Sequence, residues 1–121
     1  MWNGEGRKSW NGEWRKSMTG REQLEKRTKE FALGVVRFVA SLPKTKAADV
    51  MCYQLLRAGT SIGANYREAG RAESRADSIH KVAITEKEAG ETQYWLEMFS
   101  DSGIGDPAQV AALLKEATIF E

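Results

Sequence analysis

Apolar residues recur at helical spacing in four separate stretches of this chain. The first holds Leu24, Phe31, Val35, Phe38 and Leu42. The second holds Met51, Leu55, Ala58, Ile62 and Ala69, interrupted on the same stripe by Gln54, Ser61 and Asn65. The third carries apolar residues on two sides, Ile79, Val82, Ala83 and Ala89 on one and Ile84, Trp95 and Met98 on the other. The fourth holds Val110, Leu113, Leu114, Ala117 and Phe120. Spacings of three and four residues place such positions on one helix face. No stretch alternates with period two, so no strand is predicted.

The residues between these stripes supply the starts and stops. Thr19-Gly20-Arg21-Glu22 is a capping-box pattern that opens the first helix. Pro43 ends it, because the residue before a proline is pushed out of the helical region. Thr45 can cap the second helix, with Asp49 early enough to be favoured by the helix dipole. That helix is expected to run to about Gly70–Ala72, and Ser74 to cap a third that stops at Ser102-Gly103-Ile104. Asp106-Pro107 starts the fourth, with proline at the first helical position. Short connections between long helices imply antiparallel neighbours. The expected fold is therefore all-α: an up-and-down antiparallel four-helix bundle over residues 19–121.

The second helix contains Gly59 and Gly63, one turn apart. An interior glycine costs a helix about 1 kcal/mol relative to alanine, so the pair predicts a close approach by another backbone. The polar interruptions need partners, since buried polar groups are bonded. Glu88 and Glu91 on the third helix fall roughly level with Arg57, and Ser61 and Asn65 lie a turn or two away. Arg57, Ser61, Asn65, Glu88 and Glu91 are thus expected to form one structural polar network. A bundle buries one face of each helix, so the second apolar side of the third helix predicts a subunit interface at Ile84, Trp95 and Met98.

Ahead of the bundle, Trp2-Asn3-Gly4-Glu5-Gly6-Arg7-Lys8-Ser9 recurs as Trp10-Asn11-Gly12-Glu13-Trp14-Arg15-Lys16-Ser17. Two copies are too few for a solenoid, and the segment has no regular period. Residues 1–18 are expected to be a disordered Trp/basic arm, one that leaves fold and assembly unchanged if removed. No stretch is apolar enough to span a bilayer, so no membrane association is expected. The single cysteine, Cys52, excludes an intramolecular disulfide and a cysteine-based zinc site, and a cytoplasmic setting is expected.

Two stretches carry a resemblance. Gln54-Leu55-Leu56-Arg57, then Thr60-Ser61-Ile62-Gly63-Ala64-Asn65-Tyr66-Arg67-Glu68-Ala69, is followed by Lys87-Glu88-Ala89-Gly90-Glu91-Thr92-Gln93-Tyr94-Trp95-Leu96. Over roughly residues 31–104 the chain resembles the bacterial four-helix bundle proteins, also called 23S rRNA-intervening-sequence proteins. The resemblance implies an up-and-down bundle assembled as a ring-shaped homopentamer. It attaches no established activity, and it points toward RNA. The tryptophan-rich repeat lies outside the family pattern.

The remaining chemistry narrows the function classes. A diiron bundle needs two Glu-x-x-His motifs, and this chain has one histidine, His80. No nucleophile, phosphate loop or cofactor motif accompanies Glu88 and Glu91, so neither an enzyme nor a cofactor is expected. The formal net charge is +1, and the arm's four basic and two acidic residues leave the bundle slightly acidic. Its charges are nonetheless unevenly placed. In an up-down-up-down bundle, Arg21, Lys26, Arg27, Lys29, Arg67, Arg71, Arg75 and Lys81 gather at one end, interleaved with Glu22, Glu25, Glu68, Glu73 and Asp77, and Asp49, Glu97, Asp101 and Asp106 gather at the other, diluted by Lys44 and Lys46. A basic end repeated around an oligomer would bind RNA or another nucleic acid by its phosphates. The alternative reading is a scaffold that binds another protein and no nucleic acid.

Overall fold

The computed structural model describes residues 19–121, so the arm expectation lies outside the described residues. Four helices follow one another: α1 (Gly20–Ala40), α2 (Lys46–Gly70), α3 (Arg75–Ser102) and α4 (Pro107–Ile119). Each begins under a side chain that satisfies a free backbone donor. Thr19 accepts from the Glu22 N–H while its own N–H donates to the Glu22 carboxylate at 3.0 Å, completing the capping box. Thr45, Ser74 and Asp106 each accept from the N–H three residues on, at 3.1 Å. Replacing such a cap by alanine typically costs about 1 kcal/mol. α3 ends at Gly103 in the left-handed region, φ 75°, where its N–H donates to the Phe99 carbonyl. Gly105 is fixed by both conformation and space: its φ is 92°, and a Cβ would lie 2.8 Å from the Phe38 ring.

α2 packs on α1 and α3, α3 on α4, and α4 back on α1, which is the square order of an up-and-down bundle. Among the described residues there is no strand, and no helix is long and apolar enough to cross a membrane. The core is built from the sequence stripes. Val35, Phe38, Leu55, Ile62, Ala89, Leu96 and Phe99 are fully or almost fully buried, and burial stabilises each larger side chain by about 1.5–3 kcal/mol. Phe38 and Phe99 meet edge to face at 5.2 Å, Phe31 and Phe120 at 5.5 Å. Three threonines, Thr28, Thr85 and Thr92, are also buried. Each donates its hydroxyl proton to a carbonyl one turn back in its own helix, leaving the methyl for packing.

The glycines of α2 have the packing reason that their cost requires. A Cβ on Gly59 would lie 3.1 Å from a Val35 methyl, and one on Gly63 3.1 Å from the Thr28 hydroxyl and 3.4 Å from the Thr28 backbone. α1 therefore sits on α2 where side chains are missing. Gly90 in α3 has no such reason, since its Cβ would meet only the exposed end of Glu121 at 3.6 Å. Gly90→Ala is expected to raise stability by about 0.5–1 kcal/mol, read as a higher midpoint in urea at unchanged slope. A lower midpoint would mean that something else approaches this face.

The fourth helix is short. α4 has 13 residues and α3 has 28, roughly 20 Å against 42 Å at 1.5 Å per residue. α4 ends beside Phe31 and Gly90, leaving the amino-terminal halves of α1 and α3 without a fourth helix between them among the described residues. Val82, Ala89 and Leu96 share one stripe, and their exposures are 37%, 0% and 0%. Leu24, Phe31 and Phe38 repeat the trend on α1, from partly buried to fully buried. Thus Ile79 and Val82, expected on one apolar face with Ala89, are exposed because α4 stops before reaching them.

Candidate functional site

The carboxyl end of α2 and the amino ends of α1 and α3 meet at one end of the bundle. Arg21 Nη1 donates to the Gly70 carbonyl at 3.3 Å, and its stem lies over Gly70 where a larger residue would collide. The arginine thereby neutralises the negative end of the α2 dipole. Bringing the basic residues to one end does not leave all of them available. Arg27 grips Glu116 of α4 with two hydrogen bonds, 2.6 and 3.0 Å, and that bond pushes the pKa of its guanidinium up. Lys26 pairs with Glu30 at 3.1 Å, Arg67 with Glu25 at 3.9 Å and Lys81 with Glu68 at 3.0 Å. The hydrogen bond that Lys81 donates to the Glu68 carboxylate raises its pKa, so this ammonium stays charged.

Lys29, Arg71 and Arg75 are exposed and have no acidic partner among the described residues. Arg71 lies at the carboxyl end of α2, where a cation is favoured by the helix dipole. Arg75 is the first residue of α3, where a cation is disfavoured. Local helix electrostatics therefore do not account for it. Lys29, Arg67 and Arg71 line an open groove of about 470 Å³ between α1 and α2, floored by Ala32, Thr60, Gly63 and Ala64.

The polar positions of α2 and α3 divide into two groups. Arg57 donates from Nη2 to the Glu91 carboxylate and lies 3.6 Å from Glu88 through Nη1. Glu88 Oε1 is closed to solvent yet accepts no hydrogen bond, so it is held by charge alone. Ser61 and Asn65 take no part, contrary to the sequence expectation of one network. Ser61 donates to the Arg57 carbonyl at 2.7 Å and Asn65 to the Ser61 carbonyl at 2.9 Å. Both side chains turn back onto their own helix, which satisfies their donors without a neighbour.

Of the residues expected at a subunit interface, Ile84 and Trp95 are half-buried within the monomer, and Trp95 packs against the core. Met98 is exposed, as is the adjacent Tyr94, whose ring meets that of Trp95 edge to face at 5.0 Å. Exposed apolar residues also occur on α1 and α2, at Leu33, Val36, Val50 and Tyr53. Cys52 lies in a cleft with Leu42, Leu56, Lys44 and Asp49, where burial, then the charge of Asp49, pushes its thiol pKa up. A thiol so placed is a poor nucleophile at neutral pH. His80 is exposed, and among the described residues no three potential metal ligands converge.

The sequence missed the Arg27–Glu116 tie, which fastens α1 to α4, although both residues lie on the polar edges of their stripes. It also missed the groove, whose one signal was a run of small residues, Gly63-Ala64, one turn before Arg67.

No curated protein matches this chain. A solved structure from Bacteroides thetaiotaomicron is similar to it, with a TM-score of 0.74 and 41% identity over 79% of this chain and 89% of that one. It is described as a protein of unknown function from the S23 ribosomal protein family. The family model of the 23S rRNA-intervening sequence protein matches residues 22–120, from the first turn of α1 to the residue that caps α4. With that match spanning the whole bundle, the chain belongs to the 23S rRNA-intervening sequence protein family.

Proposed function

We propose that the protein is a non-catalytic, oligomeric RNA-binding bundle whose basic end contacts phosphates. The observation that carries this reading is the set of exposed cations without acidic partners at that end, Lys29, Arg71 and Arg75, with Arg21 bonded to a carbonyl alone. Among them Arg75 stands where its own helix disfavours a positive charge. An anion docking there would meet both the guanidinium and the positive end of α3. The ion-paired residues Lys26, Arg27, Arg67 and Lys81 then shape the surface more than they bind. The choice of RNA as the polyanion draws on the names attached to the two comparisons, one referring to 23S rRNA and the other to a ribosomal protein family. Self-association through Met98, with Ile84 and Trp95 behind it, would repeat the basic end around a ring, for which a homopentamer is our reading, in the cytoplasm. A second reading, a scaffold for another protein, draws on the exposed Leu33, Val36, Val50 and Tyr53.

Arg71→Glu combined with Arg75→Glu tests the first reading. Each phosphate contact contributes roughly 0.7 to the logarithmic salt slope for a single strand. The double variant should weaken RNA binding and flatten that slope while its thermal midpoint stays with the parent, because both residues are exposed and the opposite helix-dipole effects of the two changes offset each other. Asp101→Lys at the acidic end should change binding little. Absence of salt-dependent RNA binding by the parent protein would transfer the case to the scaffold.

A further inference from the structure

We propose that the groove between α1 and α2 is a track for single-stranded nucleic acid, with Lys29 and Arg71 holding the phosphates and Ala32 and Ala64 as the floor under the bases. This inference rests on the RNA reading above and specifies where, and in what form, the strand lies. The groove exists because α1 closes on α2 over Gly63, and its floor carries only small side chains. From Thr60 to Arg71 it follows α2 for roughly 16 Å at 1.5 Å per residue, room for a short run of nucleotides.

The charges lining it favour a polyanion. Glu25 and Glu68 also line the groove, but each is already neutralised, by Arg67 at 3.9 Å and by Lys81 at 3.0 Å. What remains unbalanced is Lys29 from α1 and Arg71 from α2. The floor residues between them, Ala32, Thr60, Gly63 and Ala64, are small and uncharged, which suits the face of a base better than its hydrogen-bonding edge. Affinity should accordingly depend on strandedness and salt and little on sequence.

The shape favours a single strand over two other occupants. Packed helix axes lie only about 8–10 Å apart, so a single strand can settle into the trough between them while a duplex would ride on its rims. A protein partner normally buries an aromatic or arginine anchor in a deep pocket. This floor, made of Ala32, Thr60, Gly63 and Ala64, offers a shallow trough with no such pocket.

Ala64 makes the test clean, because it is exposed and its substitution leaves every core contact in place. Ala64→Leu fills the floor without adding charge, an aromatic ring or a helix-breaking residue, and Ala64→Ser is the size-matched control. Full-length parent and variants are titrated against a labelled 12-nucleotide single-stranded RNA and against a duplex of equal phosphate number, at two or more salt concentrations. The expected result is single-strand binding weakened roughly tenfold or more by Ala64→Leu and unchanged by Ala64→Ser, with the thermal midpoint unaltered. Parent protein should prefer the single strand to the duplex, and polyglutamate of equal charge should compete poorly. Parent-like single-strand binding by Ala64→Leu overturns the groove. So does a preference for duplex, or displacement by polyglutamate. If Ala64→Leu binds normally while Arg71→Glu/Arg75→Glu does not, the groove fails and the basic-end reading stands. If the parent binds no RNA at any salt, both fail together.

Discussion

Gly63→Val should lower the thermal midpoint by about 10–20 °C. Valine adds three carbons where the first would already lie 3.1 Å from the Thr28 hydroxyl and 3.4 Å from the Thr28 backbone. Thr28 cannot simply turn aside, because it is 1% exposed and its hydroxyl proton is committed to the Glu25 carbonyl at 3.0 Å. Relief then requires α1 to move off α2. Overpacking of a tight core costs about 1–3 kcal/mol, and the backbone neighbour puts this site at the upper end, about 2–3 kcal/mol. For a domain near this size each 1 kcal/mol is worth about 4–8 °C. Gly63→Ala should cost less, because part of the crowding is offset by about 1 kcal/mol of helix propensity. Calorimetry of the two variants against the parent is the measurement. A valine variant melting within two or three degrees of the parent would show that the two helices can part cheaply.

Arg57→Ala should destabilise the bundle by about 1–3 kcal/mol. Removing the guanidinium strands Glu88, which has one oxygen shut away from water without a hydrogen bond, beside Glu91 one turn away. Loss of one partner from a fully buried pair costs about 3–5 kcal/mol. The smaller figure follows from exposure, since the Arg57 side chain is 38% exposed and that of Glu91 33%. Adding Glu88→Gln to Arg57→Ala removes one stranded charge and should recover a large part of the loss. Denaturant midpoints of the two single variants and the double variant give the coupling energy directly. Equal midpoints for parent and Arg57→Ala would make the three residues a surface feature.

The helices and their order were legible because their signals are local. Thr19, Thr45, Ser74 and Asp106 cap where they stand, and a capping pattern needs no knowledge of the partner helix. The close approach at Gly59 and Gly63 was legible for a related reason: glycine in a helix interior is costly enough to demand a neighbour. Other features depended on register between helices. Counting charges placed eight cations at one end, but which of them meet an acid depends on how α1, α2, α3 and α4 are aligned. Ser61 and Asn65 were misread because the same side chain can reach across to α3 or back to its own helix, and only the fold decides between them. Thr28, Thr85 and Thr92 escaped the core count because a hydroxyl bonded one turn back behaves, for packing, as an aliphatic group.

The brevity of α4 grades stability along the bundle axis. At the acidic end four helices share one core, and opening any part exposes Phe38 and Phe99 together. At the basic end three helices meet among the described residues, with Leu24 and Val82 already in partial contact with water. Local opening there forfeits less buried area, so fraying costs less than global unfolding and its free energy falls toward the mouths of α1 and α3. The exposed cations Arg71 and Arg75 thus sit at the more yielding end of the described bundle. A ligand that ties α1, α2 and α3 together would return part of its binding energy as order in the scaffold, and the bundle would hold its bound shape more firmly than its free one.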